Sequence, residues 1–478
     1  MARHSNTSAP LCRYAAFWLT GRLLRALGPL LVGVTFRLTP ALLAYLTGLI
    51  TQENITATVL ASQVGVVSHD DLTRLLRNIG PGLSAGACWA VRLATRLGAD
   101  GWLIIDDVLL PKPFAQALAF AGWDYDHASN RNTYGLRLVF VVWCNGVLLI
   151  PLLFTCWQKD LTKKPARPKR AKKKKSRKKA GPPCAARNRK RKKPGTNRPV
   201  PAAPDKKVAR LASGARYRTK NQLAQAMLWK LVRRGLPVRY VLFDNWYASD
   251  ANLLRWEKLG LHWVTRAKSN LEVEAEGQKV SVKQLGETVR KANYHYYPQL
   301  GARARSFLVR RRGRLLLLVI IQNDSGPESG RTKYLLTSDL ELTTRGVVQW
   351  YRRRWPIEVF FRDAKQHLGL GKCEARSAEA IVGHIFLVCV AYSLLQVSKP
   401  AAAAQKASIC GVRGEWASLL VVVQVSGELA ARQHRKSGRL QEIALGGYLS
   451  PARTRLALPE MPEQLVFTRS YADAIDSA

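Results

Sequence analysis

The sequence predicts an α/β fold with helical regions at both ends and a β-rich insertion ahead of its last core helix. Three observations predict it. Short apolar runs of strand-forming residues at 102–105, 238–243 and 261–265 alternate with helical segments through the middle of the chain. Two of these runs lead straight into acids, Asp106-Asp107 and Asp244. Residues 269–340 are rich in short strand patterns, whereas 1–96, 341–400 and 401–478 read as helical.

In chain order, 1–96 forms a helical N-terminal region. Residues 55–79 suggest two helices with a turn at Gly65, and Ser68 is a good N-cap with Asp71 three residues on. A helix-turn-helix and an ordinary helical hairpin both fit this pattern. The strand at 102–105 ends in Asp106-Asp107, followed by Val108 to Lys112. Residues 138–157 are almost wholly apolar and long enough to cross a bilayer. Asn145-Gly146 near their middle is a hairpin signal, and Val139, Val141, Val142, Val147 and Ile150 favour strands. This run therefore reads as two buried antiparallel strands. Residues 219–234 make a helix with Leu223, Ala226, Met227, Leu228 and Leu231 apolar. Strand patterns follow at 272–275, 306–309, 315–321 and 333–337, then a long apolar helix at 378–397. After Pro400 an alanine-rich linker leads into the C-terminal helical region.

The 478 residues allow two to four domains, and 47% hydrophobic content supplies ample core. The net charge is +44. Such an excess points to a polyanion, most simply nucleic acid, with an anionic membrane as the competing partner. Residues 159–207 hold 22 Lys or Arg against Asp160 and Asp205, a local charge of +20. With almost no large apolar residues, this basic insertion is expected to be disordered in isolation. Its charge suits an arm that tracks phosphates, or one that only keeps the protein soluble. The eight cysteines show no Cys-x2-Cys pair and no zinc-ligand spacing with histidine, as expected for reduced core cysteines of a cytoplasmic protein. Arg13, Arg22 and Arg25 interrupt the apolar N-terminus, which does not read as a signal peptide.

The chemistry concentrates in Tyr351, Arg354, Glu358 and Lys365, spaced Tyr-x2-Arg-x3-Glu-x6-Lys. Pro356 suits the first position of a helix. Glu358 then falls in the first turn, where the helix dipole favours a carboxylate. Glu358, Arg362 and Lys365 share one face, so the helix could hold a divalent metal and grip a phosphodiester, or simply be solvated and ion-paired. Two strands can set Asp107 and Asp244 side by side while a facing helix adds Glu358. Three hard oxygen donors suit Mg²⁺ or Mn²⁺, and two such ions about 4 Å apart serve an in-line displacement.

This spacing resembles the signature of the DDE transposases of bacterial insertion sequences, in the branch typified by the fourth insertion-sequence family. The resemblance covers most of residues 100–400. Asp106-Asp107 through Lys112 looks like the family's first acidic motif, and Asp244-Asn245-Trp246-Tyr247 like the second. It implies an RNase H-like catalytic core: residues 97–268, interrupted by 159–207, form its first part, 269–340 the β-rich insertion, and 341–400 the helical part with the glutamate. The 1–96 region would then bind DNA. Asp107, Asp244 and Glu358 match the acidic triad, with Asp106 the rival for first place because Val108 stands where a threonine is usual. Tyr351, Arg354 and Lys365 match signature positions that contact DNA, and Arg266 resembles a further phosphate-contacting arginine. Tyr334 matches a position that stacks on a flipped base in some relatives, although a strand tyrosine fits equally. The implied activity is cleavage at transposon ends dependent on Mg²⁺ or Mn²⁺, two ions per site, then strand transfer through hairpin-ended intermediates. The implied partner is double-stranded DNA, bound by a homodimer in the bacterial cytoplasm or nucleoid, with no membrane. A nuclease without strand transfer and an inactive DNA-binding derivative are the alternatives.

Overall fold

The computed structural model describes residues 39–51, 67–159 except 99, 116, 127 and 128, and 218–397 except 289–292 and 324–330. The turn at Gly65, nearly all of the basic insertion and the C-terminal region lie outside the described residues.

Among the described residues three helices come first: α1 (Thr39–Thr51), α2 (His69–Asn78) and α3 (Gly80–Arg96). The start of α2 follows the expected capping box. The Ser68 hydroxyl accepts from the Asp71 N–H at 3.1 Å, and the Asp71 carboxylate accepts from the Ser68 N–H at 3.2 Å. Four strands follow: β1 (Trp102–Pro111), β2 (Ala121–Asp126), β3 (Arg131–Cys144) and β4 (Leu149–Trp157). β3 and β4 are the expected antiparallel pair. The Asn145 side-chain oxygen turns the chain between them by accepting from the N–H groups of Val147 and Leu148.

Beyond the insertion come α4 (Lys220–Arg233), β5 (Tyr240–Phe243), α5 (Asp250–Lys258) and β6 (His262–Arg266). Residues 269–340 are strand-rich as expected: β7 (Glu272–Ala275), β8 (Gln278–Ser281), a short α6 (Val282–Thr288), β9 (His295–Tyr297), β10 (Ala302–Arg311), β11 (Arg314–Asn323) and β12 (Thr332–Thr337). The last helices among the described residues are α7 (Thr344–Arg352), α8 (Pro356–His367) and α9 (Ala378–Val397).

Among the described residues the strands join into one mixed sheet, ordered β2-β3-β1-β5-β6-β12-β11-β10-β7-β8, with β4 on β3 and β9 on β10. β1, β5 and β6 run parallel to one another, and β3 lies antiparallel to β1. The parallel register of β1 on β5 ends at Ile105↔Phe243, so Asp106 and Asp244 leave that pairing at the same level. The helices cover both faces. On one side Phe140 of β3 meets Phe360 and Phe361 of α8. On the other, α4 packs on β3 and α5 packs on β6.

Helix α9 is long and apolar enough to cross a membrane, yet it is almost entirely enclosed by the rest of the fold. Gly383 lets it lie against α2, because a Cβ there would overlap the Leu76 carbonyl. Its buried His384 makes two bonds. A carbonyl only accepts, so Nε2–H donates to Gly369 O at 3.0 Å, and Nδ1 accepts the Tyr45 hydroxyl at 2.7 Å. Burial pulls the His384 pKa down to about 4. The unfolded chain thus binds the proton first, and this contribution to stability, on the order of 3 kcal/mol, is complete above about pH 6.5 and lost as pH falls towards 4. Thermal melts from pH 4 to 7 should show a steeper rise for the native protein than for His384→Gln; equal slopes would refute this role for His384.

Candidate active site

The two adjacent acids lie within β1 and not at its end, which corrects the sequence expectation. β1 runs on to Pro111 because β3 keeps pairing with it, down to Pro111↔Gly135, after β5 has stopped. The pleat sends neighbouring side chains to opposite faces, so Asp106 and Asp107 have different surroundings.

Asp106 stands across from Phe140 and faces α8. Arg354 Nη1 donates to its Oδ2 at 2.6 Å, and the other guanidinium nitrogen of Arg354 donates to Glu358. One side chain therefore links β1 to the first turn of α8. Arg354 sits in the tight connection between α7 and α8, just before Pro356, which opens α8 as the sequence predicts. Burial pushes the Asp106 pKa up to about 7 against the pull of Arg354, with Asp244 and Asp107 adding to the rise. For Arg354, burial opposes the charge, but Asp106, Tyr351 and Glu358 together hold its pKa above the usual value.

Asp107 faces α4. The Tyr247 hydroxyl donates to its Oδ1 at 2.9 Å, Arg137 Nη1 to its Oδ2 at 3.0 Å, and Lys220 Nζ lies 3.2 Å from both oxygens. Arg137 is itself fixed, with Nε on Asp124 at 2.7 Å and Nη2 on the Tyr125 carbonyl at 3.1 Å. Lys159, where the chain leaves β4 for the insertion, also pairs with Asp124, at 3.3 Å. Lys220, the first residue of α4 where the chain returns, has its ammonium 4.3 Å from the ring centroid of Trp246.

Asp244 follows β5 and accepts from the Trp246 N–H at 2.9 Å, an Asx turn that shapes the loop. Its pKa is raised by burial and by Asp107, and held back by Arg354 and Lys220. The loop is anchored from below by Asn252, which is fully buried. Asn252 Nδ2 donates to the Tyr247 carbonyl at 2.8 Å and to Asn221 Oδ1 at 3.1 Å, and Gln225 Nε2 donates to Asn252 Oδ1 at 2.6 Å. Burial, then Asp107, raises the Tyr247 pKa, so its phenol remains a donor.

Tyr351 is half-buried beside this group, and burial raises its pKa against the pull of Arg354 and Arg266, with Asp244 adding to the rise. Arg266 ends β6 and, with Asn245, Lys268, Asn270, Thr332 and Tyr334, lines an open pocket of about 760 Å³. Tyr334 forms its wall from within β12 and is only 9% exposed. Lys365 is exposed near the far end of α8, two turns from Glu358, and is not gathered with the acids.

The structure thus brings together Asp106, Asp244, Glu358, Arg354, Tyr351 and Arg266, with Asp107 beside Asp244 but on the α4 face of β1. Sequence reasoning missed Arg137, Lys220, Tyr247 and Asn252. Tyr247 could have been found in the Asp244–Tyr247 run, whereas Lys220 was hidden in a basic stretch. In donor type the carboxylates fit a hard divalent cation. In arrangement, among the described residues, no three His, Cys, Asp or Glu side chains close around one point. Arg354 and Lys220 lie among the carboxylates instead.

Comparison with known proteins bears on this cluster. Residues 165–394 match the family model for the transposase DDE domain, a stretch that includes Asp244 and Glu358 and begins after β1. The chain is also 28% identical over 153 residues to the probable transposase for insertion sequence element IS5377 from Geobacillus stearothermophilus, covering 32% of this chain and 37% of that relative. Asp244 and Glu358 therefore lie in a stretch similar to the transposase DDE domain, Asp106 and Asp107 precede that stretch, and the chain spans about a third of the length of the insertion-sequence transposase it matches.

Proposed function

We propose that this protein cleaves DNA at transposon ends and joins the freed ends to target DNA, as a member of the branch with the Tyr-x2-Arg-x3-Glu-x6-Lys signature. The observation that carries the proposal is the parallel β1–β5 register, which brings the Asp106-Asp107 pair level with Asp244, together with Arg354, which ties β1 to Glu358. The order β4-β3-β1-β5-β6, antiparallel then parallel, supports an RNase H-like core, with 269–340 as its β-rich insertion.

Asp107, Asp244 and Glu358 are the proposed holders of Mg²⁺ or Mn²⁺. When bound, such ions would activate the attacking oxygen and stabilise the leaving one. The remaining roles belong to the chain's own residues. Tyr247 and Arg137 fix the orientation of Asp107. Asp106 is assigned to Arg354: it keeps the guanidinium at the cluster, so that Arg354, with Tyr351 and Arg266, meets the phosphates beside the cut. Lys365 extends this contact along α8, and the basic insertion adds sequence-independent attraction. Double-stranded DNA is the proposed substrate, with two copies acting on paired ends.

The acids separate the roles. Asp107→Asn, Asp244→Asn and Glu358→Gln should each reduce Mg²⁺-dependent end cleavage at least about a thousandfold while leaving end binding intact. Asp106→Asn should cost less, with the loss appearing in DNA positioning. An inactive Asp106→Asn beside an active Asp107→Asn would move the first ligand by one residue. Labelled ends joined to target DNA identify a transposase; nicked DNA alone identifies a nuclease.

The pocket at Arg266 is proposed to receive a displaced nucleotide against Tyr334. Tyr334→Ala should slow hairpin formation or second-strand processing more than first-strand nicking, with Tyr334→Trp tolerated. Equal loss at every step with a lowered melting temperature would reduce Tyr334 to a core residue.

For the insertion, replacing 161–204 by a short Gly/Ser linker should keep the melting temperature and specific end recognition. Non-specific DNA affinity should fall and its salt slope flatten, because fewer counterions are released. An unchanged slope would assign the charge run to solubility alone.

A further inference from the structure

Asp106, Asp107 and Asp244 lie at the β1–β5 edge, Asp106 on the α8 side with Glu358 and Asp107 on the α4 side, and a basic side chain stands on each side. Arg354 spans Asp106 and Glu358. Lys220 spans both oxygens of Asp107, and its charge also acts on Asp244. A chelating position on one carboxylate, next to a second carboxylate, is the place a divalent cation would take.

The cations around Asp107 are not equally fixed. Arg137 is held at three points, by Asp107, Asp124 and the Tyr125 carbonyl. The hydrogen bonds of Lys220 go to Asp107 alone, from a flexible four-carbon stem, and its other contacts are with the ring faces of Trp157, 5.5 Å away, and Trp246. Its seat also opposes the helix dipole, since Lys220 is the first residue of α4 and the first turn of α4 has no acid. A second seat adjoins the first: the half-exposed ring of Trp246, whose centroid is already 4.3 Å from the ammonium.

We propose that Lys220 is a displaceable counter-ion of the acid cluster, which holds Asp107 until a divalent cation takes its place and then moves out over Trp246 towards the incoming DNA phosphate. This inference rests on the reading that Asp107 and Asp244 hold the metal.

The test is a titration of the full-length protein with Mn²⁺, free ion being read by electron paramagnetic resonance without DNA. Lys220→Met and Lys220→Gln should bind Mn²⁺ about tenfold more tightly than the native protein, because a competing charge is gone. Lys220→Arg should stay within about twofold of native. In the native protein, acylation of the Lys220 amine, read by mass spectrometry, should rise several-fold on adding Mg²⁺, a readout that needs no variant. If Asp244→Asn abolishes Mn²⁺ binding but Lys220→Met binds as the native protein does, the Lys220 inference fails and the metal reading stands. If Asp244→Asn leaves Mn²⁺ binding unchanged, the metal reading itself fails. Unchanged acylation with Mg²⁺ would also overturn the displacement of Lys220.

Discussion

The short parallel pairing of β1 with β5 is the constraint on which the rest depends. It ends at Ile105↔Phe243, and past that point β1 continues with β3 alone while the chain after β5 turns into the Asp244 loop. The gap between a strand that goes on and one that stops is lined by carboxylates. Any slip of one residue in this register would exchange the faces of Asp106 and Asp107. It would carry one away from Arg354 and the other away from Arg137, Lys220 and Tyr247. The fully buried Leu103, Ile104, Ile105, Val241, Leu242 and Phe243 resist that slip, because every one of them would have to repack.

Drawing four acids partly out of water is costly unless positive charge follows them. Here it comes from separate elements: Arg137 from β3, Lys220 from α4 and Arg354 from the α7–α8 connection. Each pair is also a tertiary tie, so the electrostatics that keep the acids tolerable also fix helices to the sheet. The polar network of Asn252, Asn221 and Gln225 serves α4 and α5 in the same way. It satisfies a fully buried amide and holds the Asp244 loop from beneath.

Much of this was legible in the sequence because the signals were local. The strand runs, the Ser68 capping box, the Asn145-Gly146 turn and the Pro356 helix start each depend on a few neighbouring residues. Asp244 and Glu358 were legible because an acid after a strand and an acid in a first helical turn have a place in a pattern. The end of β1 was misjudged, since its extent past Asp107 is set by pairing with β3, some thirty residues away in sequence. Lys220 and Arg137 were not legible for the same reason. Nothing near a basic residue in the sequence says which carboxylate it will meet, and in a chain of net charge +44 a single lysine carries no signal.

The two ends of the insertion share one support. Lys159 pairs with Asp124 where the chain leaves β4, Lys220 pairs with Asp107 where it returns, and Arg137 bridges those two acids. The separation of the two ends is thus set by the folded core. Closing a loop costs free energy only with the logarithm of its length, about 0.6 kcal/mol for each doubling. A flexible connection inserted between these anchors would by the same rule change the stability little with its length, while the anchors keep the acids where they are.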